Sequence, residues 1–267
     1  MTDSFIDYWD NVIRDWAETG EIPASESFWF DEQRHLALHS CLMPEPYWGD
    51  IDDNSVVLVN FNPAGSVSED IRDTCHLVNK HDRSTVCGLM SSKYSDIACG
   101  FPLLDEFPIQ YAGASWWQKR VRWVRRFVPD SHRNPFAMEL CAWHSKKWAG
   151  GKYGLKYPAI RNYISDCFGP WLRRALRGSE MKLTLCVGTE FADRILRFVW
   201  PDIEDITLRI LDKPQPVPGN ARRYRIFRIP GEGNIICTSA RGSNRIPSES
   251  VFGEIEKEIF RKIKKNP

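Results

Sequence analysis

The chain has 267 residues, of which 36 are basic and 35 acidic, giving a formal net charge of +1. The apolar fraction of 42% is enough for a packed core and excludes a wholly disordered chain. The near-zero charge excludes a global basic field as the basis of nucleic-acid binding, so any such argument has to be local. The N-terminal residues lack an apolar signal core, and no apolar stretch approaches the length of a membrane span. We therefore expect a soluble cytoplasmic protein with no membrane partner, of a length that suits one large α/β domain or two small ones.

The chain begins with a helical pattern. Over residues 3–19 apolar side chains recur at the helical period, and Gly20 is a typical helix end. Residues 26–41 predict a second helix, and the prolines of residues 44–49 predict an extended segment, because a proline restricts the residue before it. We interpret residues 1 to about 42 as an N-terminal helical extension.

A buried strand and a sharp loop are predicted next. Residues 56–59 are apolar and mostly β-branched, which predicts a strand over 55–60, and the turn-forming residues 62–66 follow closely. Ligands of α/β sheets bind beyond the carboxyl ends of the strands, so Asn62, held by Pro63 with Gly65 relieving steric crowding, is a candidate site residue. The alternative is an ordinary turn in which Asn62 only satisfies backbone groups.

The middle of the chain is polar and then basic. Residues 66–114 show no sustained period, and an insertion of this length is usually functional or contains short helices. Residues 115–127 predict an amphipathic helix with a basic face, and further positive charge at Lys146 and Lys147 lies among aromatic residues. The common outcome for such a face is contact with solvent. The alternative is contact with nucleic-acid phosphates.

Residues 136–143 predict a second buried strand that contains an acidic residue, Glu139. A carboxylate in an apolar strand is costly if it is buried without a partner. Glu139 therefore points outward, is paired, or is held in a site.

The remaining pattern alternates strands and helices, which predicts a layered α/β sheet. We found no internal repeat and no domain linker, so we expect a single α/β domain over residues 1–267. The remaining predicted elements are a helix over 158–177, a strand over 181–187, a helix from 188 to 199, strands over 224–229 and 235–239, and a terminal helix over 251–265.

Cysteine and histidine spacing gives little support for a metal site. The eight cysteines include no Cys-x-x-Cys pair, and in a cytosolic chain they are expected to be reduced and buried. His35 and His39 lie near Cys41, and further cysteines and histidines fall in residues 75–87, but neither group has a zinc-site spacing. We expect no metal and no cofactor.

Two segments resemble the motifs of the uracil-DNA glycosylase superfamily, most closely its mismatch-specific branch and related uncharacterised bacterial proteins. Residues 44–50 and 56–66 are similar to the first motif, in which a strand ends in an Asn-Pro-Gly loop; here Ala64 is one extra residue between Pro63 and Gly65. The strand over 235–239 and the loop after it occupy the position of the second motif, without its usual His-Pro-Ser or Asn-Pro-Ser sequence.

The resemblance implies a three-layer sandwich with a central, mainly parallel sheet flanked by helices. It also implies a DNA glycosylase that flips out an aberrant or modified base and hydrolyses its N-glycosidic bond without a cofactor. Asn62 would hold the attacking water, and backbone N–H groups of residues 61–66, including Ser66, would bind the base carbonyl. Phe61 would stack on the base or pack beneath the site. Glu139 would read the Watson–Crick edge, and its carboxylate suits the amino group of a cytosine derivative better than a uracil carbonyl.

The resemblance also assigns DNA contacts. His144 would act on the leaving base or contact a phosphate, although a lone histidine is more often structural. The loop after residue 239 would grip phosphates or fill the gap left by the flipped base, or it is a polar surface loop. Its candidate residues are Arg241, Ser243, Asn244 and Arg245. Two other functions stay open: a catalytically inactive nucleic-acid-binding protein with this fold, and an unrelated small-molecule α/β enzyme.

Overall fold

The elements below come from a computed structural model of the chain. The structure describes residues 4–19, 21–32, 38, 44, 46–48, 51–52, 56–61, 136–143, 154–177, 183–187, 191–207, 224–230, 235–239, 253 and 257. The predicted insertion at 66–114 and the predicted helix over 115–127 lie outside these residues. Of the predicted terminal helix, Gly253 and Lys257 are described and both are helical.

The first helix, α1, spans Ser4–Thr19 and confirms the prediction over residues 3–19. Its apolar stripe is 1–2% exposed and therefore lies in the core. The stripe recurs at spacings of three and four residues, which is the pattern that places side chains on one face of a helix. Its buried members are Phe5, Trp9, Val12, Ile13 and Trp16.

Of the second predicted helix, over residues 26–41, the described residues include a shorter helix. A 3-10 turn spans Ala24–Glu26, and the helix α2 spans Ser27–Glu32. The backbone N–H of Glu26 donates to the carbonyl of Pro23 at 2.9 Å, which closes the turn. Glu26 is fully buried, so the turn directs a carboxyl group into the protein.

Among the described residues, seven strands form one sheet in the order β1-β3-β2-β4-β7-β6-β5. The four central strands β3, β2, β4 and β7 are parallel, and the outer strands pair antiparallel. The strands predicted at 55–60, 181–187, 224–229 and 235–239 are confirmed. The two-residue strands β1 and β5 were not predicted as strands. The bounds are Tyr47–Trp48 for β1, Val56–Asn60 for β2, Phe136–Glu139 for β3, Leu183–Val187 for β4, Glu204–Asp205 for β5, Tyr224–Arg228 for β6 and Ile235–Ser239 for β7.

Strand β3 is half as long as the apolar run over 136–143 predicted. The backbone N–H of Leu140 donates to the carbonyl of Asn60 at 2.9 Å, and the next N–H, that of Cys141, donates to the carbonyl of Phe61 at 2.8 Å. Successive N–H groups of a regular strand point to opposite sides, so this sequence of bonds breaks the strand geometry and bends the chain. All of residues 136–143 are buried, which explains why their composition is that of a longer strand.

Both faces of the sheet are buried at β2 and β3. The register places Val57 beside Phe136 on one face, and Leu58 beside Ala137 on the other, all with at most 1% exposure. On the first face, the ring of Phe5 in α1 lies 6.1 Å from that of Phe136. A sheet buried on both faces is what the expected three-layer sandwich requires, and that arrangement stays a prediction.

The predicted helix over 158–177 is confirmed, with an irregularity in its middle. The α-helix α3 (Pro158–Tyr163) runs through a π-helical turn (Ile164–Phe168) into α4 (Gly169–Ala175). The N–H of Gly169 donates to the carbonyl of Ile164, and a Cβ at Gly169 would lie 2.8 Å from that oxygen. The wider turn therefore requires glycine at this position.

Another helical segment follows β4. A π-helical turn over Phe191–Leu196 continues into the α-helix α5 over Arg197–Val199, and confirms the helix predicted up to residue 199. Within the part of the chain that the structure describes, no helix combines the length and the apolar character needed to cross a bilayer.

Candidate functional site

The carboxyl ends of β2 and β3 meet at one edge of the sheet. Asn60 and Glu139 are the last residues of these two parallel strands and are paired in register. The bonds from Leu140 to Asn60 and from Cys141 to Phe61 continue the contact beyond the strand ends. Ligands of parallel sheets bind outside such an edge. The predicted site loop, residues 62–66, follows directly on this part of the chain.

A buried hydrogen bond joins the two strand ends. The Nδ2 atom of Asn60 donates to Oε1 of Glu139 at 2.8 Å, and the two residues are 4% and 6% exposed. Glu139 therefore does not point outward, and it is paired, with the Asn60 amide as one partner; its place in a binding site stays a prediction. Donation by Nδ2 turns Oδ1 of Asn60 away from the carboxylate, and this oxygen has no hydrogen-bond partner among the described residues. An amide acceptor beside a carboxylate suits a ligand that carries N–H or O–H groups.

Phe61 is half-buried and packs against the hydrophobic core. Of the two predicted roles for Phe61, this position agrees with packing beneath the site. Its carbonyl accepts from the N–H of Cys141, so its backbone is fixed by the neighbouring strand.

The other predicted site residues lie outside the described residues. They are Asn62, Pro63, Gly65, Ser66, His144, Lys146, Lys147, Arg241, Ser243, Asn244 and Arg245. The strands that precede two of their segments are described. Strand β7 is parallel to β4, and β4 is parallel to β2, so the carboxyl ends of β2 and β7 reach the same edge of the sheet. The topology thus starts both motif loops at the edge that holds Asn60 and Glu139.

Sequence reasoning missed a second buried carboxyl group, that of Glu26. The hydroxyl of Tyr8 donates to Oε1 of Glu26, and Nε1 of Trp143 donates to Oε2 at 3.0 Å. Burial raises the pKa of this carboxyl group to about 7, against the lowering effect of the two hydrogen bonds. Its partners lie 18 and 117 residues away in the sequence, so no local pattern marks it.

Both carboxyl groups, those of Glu26 and Glu139, affect the pKa of the Cys141 thiol. Burial raises the pKa of its thiol well above the usual value, and Glu26 and Glu139 raise it further, while a bond to the carbonyl of Trp143 lowers it. The thiol is therefore protonated at neutral pH and a poor nucleophile. Of the described cysteines, Cys141, Cys167 and Cys186 are free thiols. No group of three or more His, Cys, Asp or Glu side chains within the described residues is placed to hold a metal ion.

Comparisons with protein families, with curated proteins and with solved structures found no match to this chain. The similarity to uracil-DNA glycosylases therefore stays a prediction from the motifs. The geometry of Asn60 and Glu139 at the sheet edge is a second observation that bears on function, and it does not depend on the motifs.

Proposed function

We propose that this protein is a DNA glycosylase that flips a modified cytosine out of DNA and hydrolyses its N-glycosidic bond. The observation that carries the proposal is the buried carboxylate of Glu139, hydrogen-bonded to Asn60, at the sheet edge where the 62–66 loop begins. A buried carboxylate at the ligand-binding edge of a parallel sheet is a candidate for recognition of a polar ligand. The motif resemblance supports a base as that ligand.

The proposed reaction needs a positioned water and stabilisation of the leaving base. The water oxygen attacks the anomeric carbon as the bond to the base breaks, the bonding electron pair leaves with the base, and the proton lost by the water passes through solvent to the departing base. Asn62 would hold this water by hydrogen bonds. An amide orients water but accepts a proton poorly, so we expect slow turnover. Backbone N–H groups of residues 61–66 would stabilise the charge on the base.

Recognition of the base is assigned to Glu139. A carboxylate accepts from the exocyclic amino group of cytosine, whereas uracil presents a carbonyl oxygen at that position and is repelled. The bond from Asn60 fixes the orientation of the carboxylate. A carboxylate has about four lone-pair sites, so accepting from Asn60 is compatible with accepting from a base as well.

A second candidate is a catalytically inactive protein that binds nucleic acid with the same fold. The departures from the motifs favour it: Ala64 lengthens the first loop, and the second motif lacks its usual His-Pro-Ser or Asn-Pro-Ser sequence. Such a protein would shift DNA in a gel without leaving abasic sites.

Formation of abasic sites tests the proposal directly. Oligonucleotides that carry uracil, hydroxymethylcytosine or glycosylated hydroxymethylcytosine are incubated with the protein, and alkali then cleaves the strand at each abasic site. We expect release of a modified cytosine, and a loss of about 10²-fold or more in Asn62→Ala, since positioned groups of this kind contribute about that much. Asn11→Ala, an exposed position in α1, is the matched control. Release of uracil alone, unaffected by Glu139→Gln, contradicts the assignment of the base.

A further inference from the structure

The buried carboxyl group of Glu26 connects two parts of the chain that are far apart in sequence. It accepts from Tyr8 in α1 and from Trp143, which lies four residues beyond Glu139. Glu26 itself has no exposed surface. The N-terminal helices are therefore joined by hydrogen bonds to the segment through which the chain leaves β3.

This exit segment, residues 140–143, is held at both of its ends. At its beginning, the N–H groups of Leu140 and Cys141 donate to the carboxyl end of β2. At its end, the indole of Trp143 donates to Glu26 and packs edge-on against Phe30 of α2, with the ring centroids 5.2 Å apart. The backbone there is not that of a strand, so the sheet ladder alone does not fix it.

We propose that Glu26 is a positioning residue for the sheet edge: by holding Trp143, it fixes the exit segment and thereby the Asn60–Glu139 pair. The expected effect on base release rests on the proposed function, whereas the positioning itself does not. Removal of the acceptor would take away the hydrogen bond that orients the indole at the end of the exit segment, and is expected to alter the geometry of a pair that lies only four residues away. Since a misplacement of about 1 Å can cost about 10²-fold in rate, such a change would be felt in catalysis.

The charge on Glu26 supports the same role. Both of its described donors, Tyr8 and Trp143, are neutral groups, and its pKa of about 7 means that the carboxyl group changes protonation near neutral pH. Ionised, it offers both oxygens as acceptors; protonated, it has one O–H that must itself find an acceptor. Its hold on Trp143 is therefore expected to depend on pH.

Among the residues that the structure describes, the other titratable groups around Glu26 are neutral at that pH or belong to the site. Burial raises the pKa of Tyr8, of Tyr163 in α3 and of the Cys167 thiol in the π-helical turn, and the Glu26 carboxylate raises each further. On the exit segment the Cys141 thiol responds in the same way, and it also feels Glu139. These groups stay protonated around pH 7, so Glu26 is the group expected to titrate there.

Nuclear magnetic resonance of the full-length protein reads the positioning without any assay of activity. The side-chain amide resonance of Asn60, assigned by its absence in Asn60→Asp, reports on its bond to Glu139. In the wild type we expect this resonance to shift with pH around a midpoint near 7, the pKa of Glu26. In Glu26→Gln the shift should disappear, and in Trp143→Phe the resonance should move from its wild-type position. Tyr163→Phe is the control, because that buried hydroxyl has no hydrogen-bond partner among the described residues.

The proposal is overturned if the Asn60 resonance of the wild type does not change with pH. It is also overturned if the resonance in both Glu26→Gln and Trp143→Phe is identical to that of the wild type. In a parallel assay on duplexes with hydroxymethylcytosine, we expect both variants to lower kcat about tenfold with little change in KM, because they displace the site without removing a contact to DNA. Absence of base release by the wild type would reject the proposed function, while the Asn60 resonance would still decide whether Glu26 positions the edge.

Discussion

Glu26 and Glu139 are both buried carboxyl groups, and their surroundings differ. Glu26 accepts from a phenol and an indole that are distant in sequence. Glu139 accepts from the amide of Asn60, its register neighbour on the adjacent strand. Glu26 lies in the 3-10 turn before α2, outside the sheet, whereas Glu139 ends a strand at the edge where ligands of parallel sheets bind. The difference teaches that burial alone does not mark a binding residue, and that Glu139 is the better candidate because it also lies at the carboxyl end of a parallel strand.

The largest effect on stability is expected at Glu26. In Glu26→Leu, the buried N–H of Trp143 and the half-buried hydroxyl of Tyr8 both lose this acceptor, and a buried polar group left without a partner costs about 1–3 kcal/mol. We expect a loss of about 2–5 kcal/mol in the free energy of unfolding, measured by urea denaturation. The matched control Tyr163→Phe should change it by about 0.5 kcal/mol or less, as is usual for a substitution that removes no interaction. A loss below about 1 kcal/mol in Glu26→Leu would show that these hydrogen bonds contribute little.

The pH dependence of stability comes next. The pKa of Glu26 is raised from 4.5 in the unfolded chain to about 7 in the fold, so the folded protein keeps a proton that the unfolded chain releases. The retained proton on Glu26 contributes to the free energy of unfolding, and this contribution is fully present below pH 4.5 and is lost as the pH rises toward 7. We expect the wild-type free energy of unfolding to fall by about 3 kcal/mol more than that of Glu26→Gln over this interval. Parallel curves for the two proteins would contradict a raised pKa.

A smaller effect is expected for the hydrogen bond between the strands. A bond to a charged group contributes about 1.5–3 kcal/mol, so a double-mutant cycle with Asn60→Ala and Glu139→Ala, each of which removes one partner, should give a coupling energy in that range. The measurement is again urea denaturation, of the two single variants and the double variant. Additive effects would mean that the 2.8 Å contact does not stabilise the edge.

The smallest effect is expected for exposed carboxylates, which sharpens the comparison with the buried ones. Glu204 on the edge strand β5 pairs with Arg228, and their side chains are 44% and 26% exposed. We expect Glu204→Gln to cost less than about 1 kcal/mol, and the cost to fall further with added salt. A cost above about 2 kcal/mol that does not depend on salt would contradict this prediction, because it would mean that the exposed pair stabilises the fold as much as a buried one.

Much of the sheet and the first helix were predictable from the sequence, because their period is local. The stripe of α1 repeats every three to four residues, and β2 is a short apolar run ended by turn residues. The early end of β3 was not predictable, because it is set by hydrogen bonds from residues 140 and 141 to another strand. The two-residue strands β1 and β5 are too short to carry a pattern.

The site was predictable only in part. Glu139 stood out because a charge in an apolar run demands an explanation, whereas its partner Asn60 resembled an ordinary polar residue at a strand end. Glu26 gave no signal, since its environment is built by residues from α1 and from the chain after β3. The predicted role of Asn62, whose position lies outside the described residues, stays a prediction.

Single-turnover rates of base release test the central claim most directly. The quantity to measure is the ratio of the rate on hydroxymethylcytosine or its glycosylated form to the rate on uracil, for the wild type and for Glu139→Gln, with Glu204→Gln as the control carboxylate. We expect the wild-type ratio to be well above one and to fall by about tenfold or more in Glu139→Gln, as for the loss of one good base contact. Glu204→Gln should leave it unchanged. A ratio that is the same in all three proteins, or abasic sites from none of these substrates, would contradict the claim that the edge of β2 and β3 recognises a cytosine derivative.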